Sequence, residues 1–245
     1  SVRTALGLAP HATLAASGIV VPRPPALCQG CGHRDMYTAL TEVAGEYENA
    51  KVFSDIGCYT LGWLSPFHAI DTCVDMGASI TMAKGAADAG QHPALAVIGD
   101  STFVHSGITG LVDVVYNQGN STVIIVDNST TGMTGHQPNP TTGQNVRGEI
   151  APQLDVVKLC QAIGVPSVRV VDPFDMKLFE QVLREECEKD GPSVVIARRP
   201  CALLIKKKGE PCTIDAEVCR RCGMCLRIGC PALVKAEDGS VSIDA

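Results

Sequence analysis

Asp100 and Asn128 are the side chains whose type and position point most directly to chemistry. Gly99-Asp100-Ser101 closes the apolar run PALAVIGD, and Asp127-Asn128-Ser129-Thr130-Thr131-Gly132-Met133-Thr134-Gly135 follows the run STVIIV. A stretch of helical length and pattern lies between them, so the unit reads strand, helix, strand. An acid then ends one strand and an amide ends the next. In a parallel sheet both ends fall at one edge, where open α/β folds bind ligands. A carboxylate and an amide oxygen are hard donors suited to a divalent ion that bridges a diphosphate. Neighbouring glycines let the backbone approach phosphates closely. The plain alternative is an ordinary βαβ crossover with turn residues at its strand ends.

Cysteines supply the second pattern, with 12 in 245 residues. Cys219, Cys222 and Cys225 are spaced C-x2-C-x2-C, and Cys230 follows with Pro231 directly behind it. Three thiolates at that spacing wrap one loop around an iron–sulfur cubane, and the run resembles the bacterial ferredoxin motif. Zinc is the alternative, although its ligands usually come as separated pairs. Residues 226–229 place four positions before the final Cys-Pro where that motif has three. In two-cluster ferredoxins that last cysteine serves the other cluster. The chain has no second run, so it reads as half of such a module, cut short, with Cys212 as a substitute ligand or a bystander.

These groups need a frame to hold them. Apolar runs near 51–56, 94–98, 122–126, 167–171 and 193–197 predict buried strands, and helical patterns fill 35–44, 77–89, 106–117, 152–163 and 174–188. Such alternation predicts an α/β fold with a parallel sheet covered on both faces. Residues 1–26, with the segment VPRPPA, read as an extended linker. A domain over 27–205 follows, and Lys206-Lys207-Lys208-Gly209 marks the junction to a cysteine module over 210–245. A net charge of −6 gives no case for nucleic acid or an anionic membrane as partner. No apolar run reaches spanning length and no signal peptide is visible, so the cysteines read as reduced thiols or metal ligands of a cytoplasmic protein. The start at Ser1, without Met, suggests a fragment or a processed chain.

The Gly-Asp-Ser to Asp-Asn interval resembles the diphosphate-binding signature of thiamine diphosphate enzymes. Under that resemblance Asp100 and Asn128 are side-chain ligands of Mg²⁺, and Thr130 gives its backbone carbonyl. The backbone of Gly99, Ser101 and Gly132 holds the diphosphate, and Met133 and Thr134 pack against the cofactor. A further set, Cys28 and Cys31 in CQGCG, Cys58 in SDIGC and Cys201 in RRPC, falls at strand ends or turns. It resembles the ligands of the [4Fe-4S] cluster nearest thiamine in 2-oxoacid:ferredoxin oxidoreductases. Asp55-Ile56-Gly57 departs from that family's usual first glycine, and buried free thiols are the alternative. Cys73, Cys160 and Cys187 read as core or surface thiols.

The blocks PPALCQGCGHR, SDIGCYTLG, GDSTFVHSGITGL, DNSTTGMTGHQPNPTTG and CRRCGMCLRIGCPAL stand in one order. From about residue 22 onward they resemble the C-terminal half of the large subunit in the indolepyruvate:ferredoxin oxidoreductases. The resemblance implies that an aryl 2-oxoacid and coenzyme A give an aryl-acetyl-CoA and carbon dioxide, with ferredoxin reduced through thiamine diphosphate and iron–sulfur clusters. It also implies a pyrimidine-binding domain missing from this chain and a small partner subunit. This chain alone would then be inactive. His33 and His136, in the motif turns, are the candidates to touch substrate or cofactor, ahead of His68 and His105; His11 and His92 read as solvated. Two other functions fit parts of the pattern. A non-oxidative thiamine decarboxylase would share Asp100 and Asn128 without needing the cysteines, and a non-catalytic electron-transfer subunit would need only the cysteines.

Overall fold

The computed structural model describes residues 2–9, 17–19, 24–205, 209–210 and 212–244. His11, Val21 to Arg23 of the linker reading, and the three lysines of the junction lie outside the described residues.

Six strands form one wholly parallel sheet: β1 (Lys51–Ser54), β2 (Thr72–Cys73), β3 (Ala94–Gly99), β4 (Thr122–Asp127), β5 (Ser167–Val171) and β6 (Ser193–Arg198). Their spatial order is β2-β1-β3-β4-β6-β5. In β3 and β4 every residue is buried, which is why both read as unbroken apolar runs rather than alternating ones.

Helices cover both faces. The N-terminal turn α1 (Val2–Ala5) falls within the stretch expected to be extended. Helix α2 (Gly32–Ala44) packs on one face. Helices α3 (Ala78–Asp88), α4 (Asp100–Thr102), α5 (Ile108–Tyr116), α6 (Val156–Ile163) and α7 (Met176–Cys187) follow along the chain. Leu95 and Val97 of β3 point to the core shared with α2 and α7, while Ala94, Ala96 and Ile98 point to the core shared with α3, α5 and α6. The period-two alternation of strand side chains builds both cores from one run of sequence.

Three differences from the sequence reading have local causes. Helix 106–117 begins earlier, because α4 runs through a π turn at Phe103–Gly107 directly into α5. Helix 152–163 begins later, at Val156, where the Asp155 carboxylate accepts from Val157 N at 3.0 Å and Lys158 N at 3.2 Å. Strand β2 was not foreseen; two residues carry no readable period.

From β1 the chain runs outward to β2, then returns to place β3 on the other side of β1. That reversal opens a crevice at the carboxyl ends of β1 and β3. Beyond β6, a one-turn helix at Ala202–Leu204 leads to a small C-terminal segment. It holds a 3₁₀ turn at Met224–Ile228 and an antiparallel hairpin of β7 (Leu233–Lys235) and β8 (Val241–Ile243). Among the described residues no helix is long and apolar enough to cross a membrane.

Candidate functional site

Strands β3 and β4 are neighbours, with Gly99 opposite Val126, so Asp100 and Asn128 leave the sheet side by side. Gly99, Asp100, Ser101, Asn128, Thr130, Gly132, Met133 and Thr134 all line one cavity there. Asp100 is only 2% exposed. Its Oδ1 accepts from Ser101 N at 2.7 Å and its Oδ2 from Thr141 Oγ1 at 3.3 Å. Burial, and then the Asp127 carboxylate beside it, push its pKa up to about 7. Asp127 is itself paired with Arg198 Nε at 2.8 Å. A buried carboxylate pressed by a second one lacks a positive partner, and a divalent ion would supply it. The oxygens of Asp100, Asn128 and Thr130 are hard donors that fit Mg²⁺. Loop 129–136 is held over the cavity by Thr131, which donates to Ser101 Oγ at 2.9 Å and accepts from Asn139 Nδ2 at 3.3 Å.

A second cavity lies next to the first. Cys28, Cys31, Cys58 and Cys201 line it together with His136. The N-terminal loop and the N-cap of α2 supply the first two cysteines; the turn after β1 supplies Cys58. Cys201 is fixed by its N–H donating to the Asn128 carbonyl at 2.9 Å. Burial, with smaller contributions from Cys28, Cys201 and Cys58, pushes the Cys31 thiol up to about 12. A buried thiol of this kind, as at Cys31, stays protonated until a bound metal's charge draws the proton off. No group of three or more His, Cys, Asp or Glu among the described residues is arranged around a single ion. Four thiols lining one cavity are the soft donor type that iron–sulfur clusters use.

The two cavities share a wall of His33, Cys58, Asn128 and Gly132. A Cβ built on Gly132 would stand 3.4 Å from Cys58 Sγ and 3.5 Å from Asn128 Nδ2. His33 is 4% exposed, and burial lowers its pKa to about 4, so it faces both cavities as a neutral imidazole. His136 holds a left-handed backbone, φ 64°, and among the described residues its buried Nδ1 has no hydrogen-bond partner. His68 and His105 are exposed and line neither cavity. Cys225 lies in the Met224–Ile228 turn, and Cys219, Cys222 and Cys230 flank it; Cys222 is exposed and the other three are half-buried. Cys160 and Cys187 are buried, and Cys73 and Cys212 exposed.

Sequence reasoning missed one supporting group. Asp55, fully buried at the end of β1, accepts from Gly77 N at 3.1 Å, from Ser79 Oγ at 2.6 Å and from the Tyr59 hydroxyl. The Tyr59 ring lies against Gly99 so closely that a Cβ there would come within 2.6 Å of Cε1. Asp55 thus braces the backbone at Gly99 through Tyr59. Its signal was present, since an acid stands at the end of each of β1, β3 and β4, but its partners come from the turn after β1 and the start of α3.

Residues 55–197 match the C-terminal TPP binding domain of thiamine pyrophosphate enzymes. The chain belongs to that family. It is 41% identical over 229 residues to indolepyruvate oxidoreductase subunit IorA of Archaeoglobus fulgidus, a match covering 91% of this chain and 37% of that one. Against subunit IorA of Thermococcus kodakarensis the identity is 39% over 239 residues, with 89% and 36% covered. The chain therefore spans little more than a third of the length of these relatives. A solved 2-oxoglutarate:ferredoxin oxidoreductase from Magnetococcus marinus superposes with a TM-score of 0.61 at 18% identity, over 74% of this chain and 66% of that one, which shows a common fold.

Proposed function

We propose that this chain is the diphosphate-binding and electron-relay part of a thiamine-dependent 2-oxoacid:ferredoxin oxidoreductase acting on aryl 2-oxoacids, with coenzyme A as acyl acceptor. The observation that carries the reading is the shared wall: a four-cysteine cavity stands against the cavity of Asp100 and Asn128. A non-oxidative decarboxylase has no use for thiols there. The names of the IorA relatives support the indolepyruvate type of substrate.

In this reading Asp100, Asn128 and the Thr130 carbonyl hold Mg²⁺. The backbone of Gly99, Ser101 and Gly132 holds the diphosphate, with Met133 and Thr134 against the cofactor. When bound, thiamine diphosphate supplies the electron sink for decarboxylation, and iron–sulfur clusters take electrons singly. Cys28, Cys31, Cys58 and Cys201 hold a [4Fe-4S] cluster beside it. Cys219, Cys222 and Cys225 hold a relay cluster in a ferredoxin-like module, and Cys230 ligates that cluster or a neighbouring one. His33, neutral between the cavities, donates or accepts one hydrogen bond there without adding charge, and His136, on the wall of the cysteine cavity, is the second histidine to touch substrate or cofactor. The pyrimidine-binding domain, a small subunit and ferredoxin are the partners, in the cytoplasm.

Iron and acid-labile sulfide per chain, measured on anaerobically purified protein alongside thiamine diphosphate titration, test this. Near eight irons with magnesium-dependent cofactor binding is the expected result. Cofactor binding without iron would move the assignment to a non-oxidative thiamine enzyme. Iron without cofactor binding would leave an electron-transfer subunit.

A further inference from the structure

Arg34 is a buried cation, 8% exposed, and among the described residues it makes no ion pair. Its charge is spent on backbone oxygens from two distant parts of the chain. Nη1 donates to the Leu27 carbonyl at 3.4 Å, and Nη2 donates to the Ile228 carbonyl at 2.6 Å. The guanidinium lies over the Phe67 ring, 5.3 Å from its centroid. Leu27 directly precedes Cys28, and Ile228 stands two positions before Cys230. Arg34 is also bonded to the first set through its own backbone, its N–H donating to the Cys31 carbonyl at 3.0 Å.

A second contact closes the same seam. Gly229 has φ 64°, and a Cβ there would come 2.6 Å from Pro66 Cδ and 3.0 Å from Pro66 Cγ. A side chain at 229 would wedge the C-terminal segment off the loop that carries Pro66 and Phe67. The seam is otherwise an open groove lined by Arg34, Thr38, Phe67, Arg227 and Cys230. Arg34 thus ties the thiamine domain to the C-terminal segment by a hydrogen bond, and Gly229 lets the two backbones pass closely beside Pro66.

We propose that Arg34 is a positioning residue that docks the C-terminal cysteine segment on the thiamine domain and thereby sets the separation of the two cysteine sets. The relay use of that separation rests on both sets holding clusters, as in the function proposed above; the docking itself does not. Arginine suits the position because a planar fork can serve two diverging carbonyls while stacking on a ring, and a lysine ammonium cannot.

The test uses the anaerobic holoenzyme with its partner subunit, as wild type, Arg34→Met, Arg34→Lys and Gly229→Ala. Two readouts are compared: hydrogen exchange of amides 226–230, and the magnetic interaction between reduced clusters in electron paramagnetic resonance. Iron content and spin count are checked in each sample. Expected are faster exchange at 226–230 and loss of the cluster–cluster interaction in all three variants, with iron per chain retained and Arg34→Lys failing to restore either signal. Gly229→Ala leaves helix α2 untouched and decides the matter if Arg34→Met folds poorly. Wild-type exchange and wild-type magnetic interaction in Arg34→Met or Gly229→Ala would overturn the proposal. An iron-free wild type would instead remove the cluster reading, and the exchange comparison would still decide the docking.

Discussion

Asp100 sits where its own fold penalises it. Its carboxylate is buried beside Asp127, supported by the Ser101 N–H and the Thr141 hydroxyl but, among the described residues, by no cation. An isosteric Asp100→Asn removes a charge that the metal-free protein accommodates poorly and that the proposed magnesium site would need. Magnesium-dependent thiamine diphosphate affinity should fall at least about tenfold, or about 1.4 kcal/mol, by titration calorimetry. The melting temperature of the metal-free variant should rise above wild type, a trade of function against stability. Unchanged cofactor affinity would remove Asp100 as a ligand. Both Asp100 and Asn128 were legible because a strand end advertises itself in sequence. The brace from Asp55 through Tyr59 to Gly99 was not, because only the fold brings Gly77 and Ser79 to that carboxylate.

Elements were legible in proportion to their length and burial. Strands β3, β4 and β6 read as continuous apolar runs because helices cover both faces. The start of the helix at Asp100 was hidden by Gly99 and Ser101, residues that ordinarily mark turns, and the π turn at Phe103–Gly107 adds a residue that no 3.6-residue period anticipates. Two substitutions test the element ends. Gly77 enters α3 with φ 92°, and a Cβ there would lie 2.8 Å from the Ser106 carbonyl oxygen. Gly77→Ala should destabilise by about 2–4 kcal/mol in denaturant unfolding, from the strained φ and the overpacking together. Asp155→Ala removes the cap of α6 and should cost only about 1 kcal/mol. Equal effects would mean that Gly77 is not the tighter constraint.

At the scale of the whole molecule the two parts differ in what holds them. The parallel sheet has two extensive cores, whereas among the described residues of 209–244 only Ala232 and Val241 are buried apolar side chains. A segment with so little core needs a staple such as a metal centre, or a surface to dock on. Cys222→Ser should therefore bleach the cluster spectrum of the C-terminal segment and open it to limited proteolysis. Thiamine diphosphate binding and the melting of the main domain should stay at wild-type values. A protease-resistant variant with full iron would exclude Cys222 as a ligand. The cysteine spacing made this segment visible in sequence, but its attachment through Arg34 was not, since nothing links position 34 to position 228 short of the fold.

Every residue assigned to the cofactor lies at the carboxyl rim of the sheet or in the loops above it, because all six strands run the same way. The opposite rim carries only short connections, including the exposed bend at 188–190 before β6. A fluorophore or surface linker attached at Asp190 should leave thiamine diphosphate affinity unchanged. Immobilised there, the molecule would hang by its idle rim and turn its working rim outward, a fixed orientation that an electrode or a biosensor chip could use without further engineering.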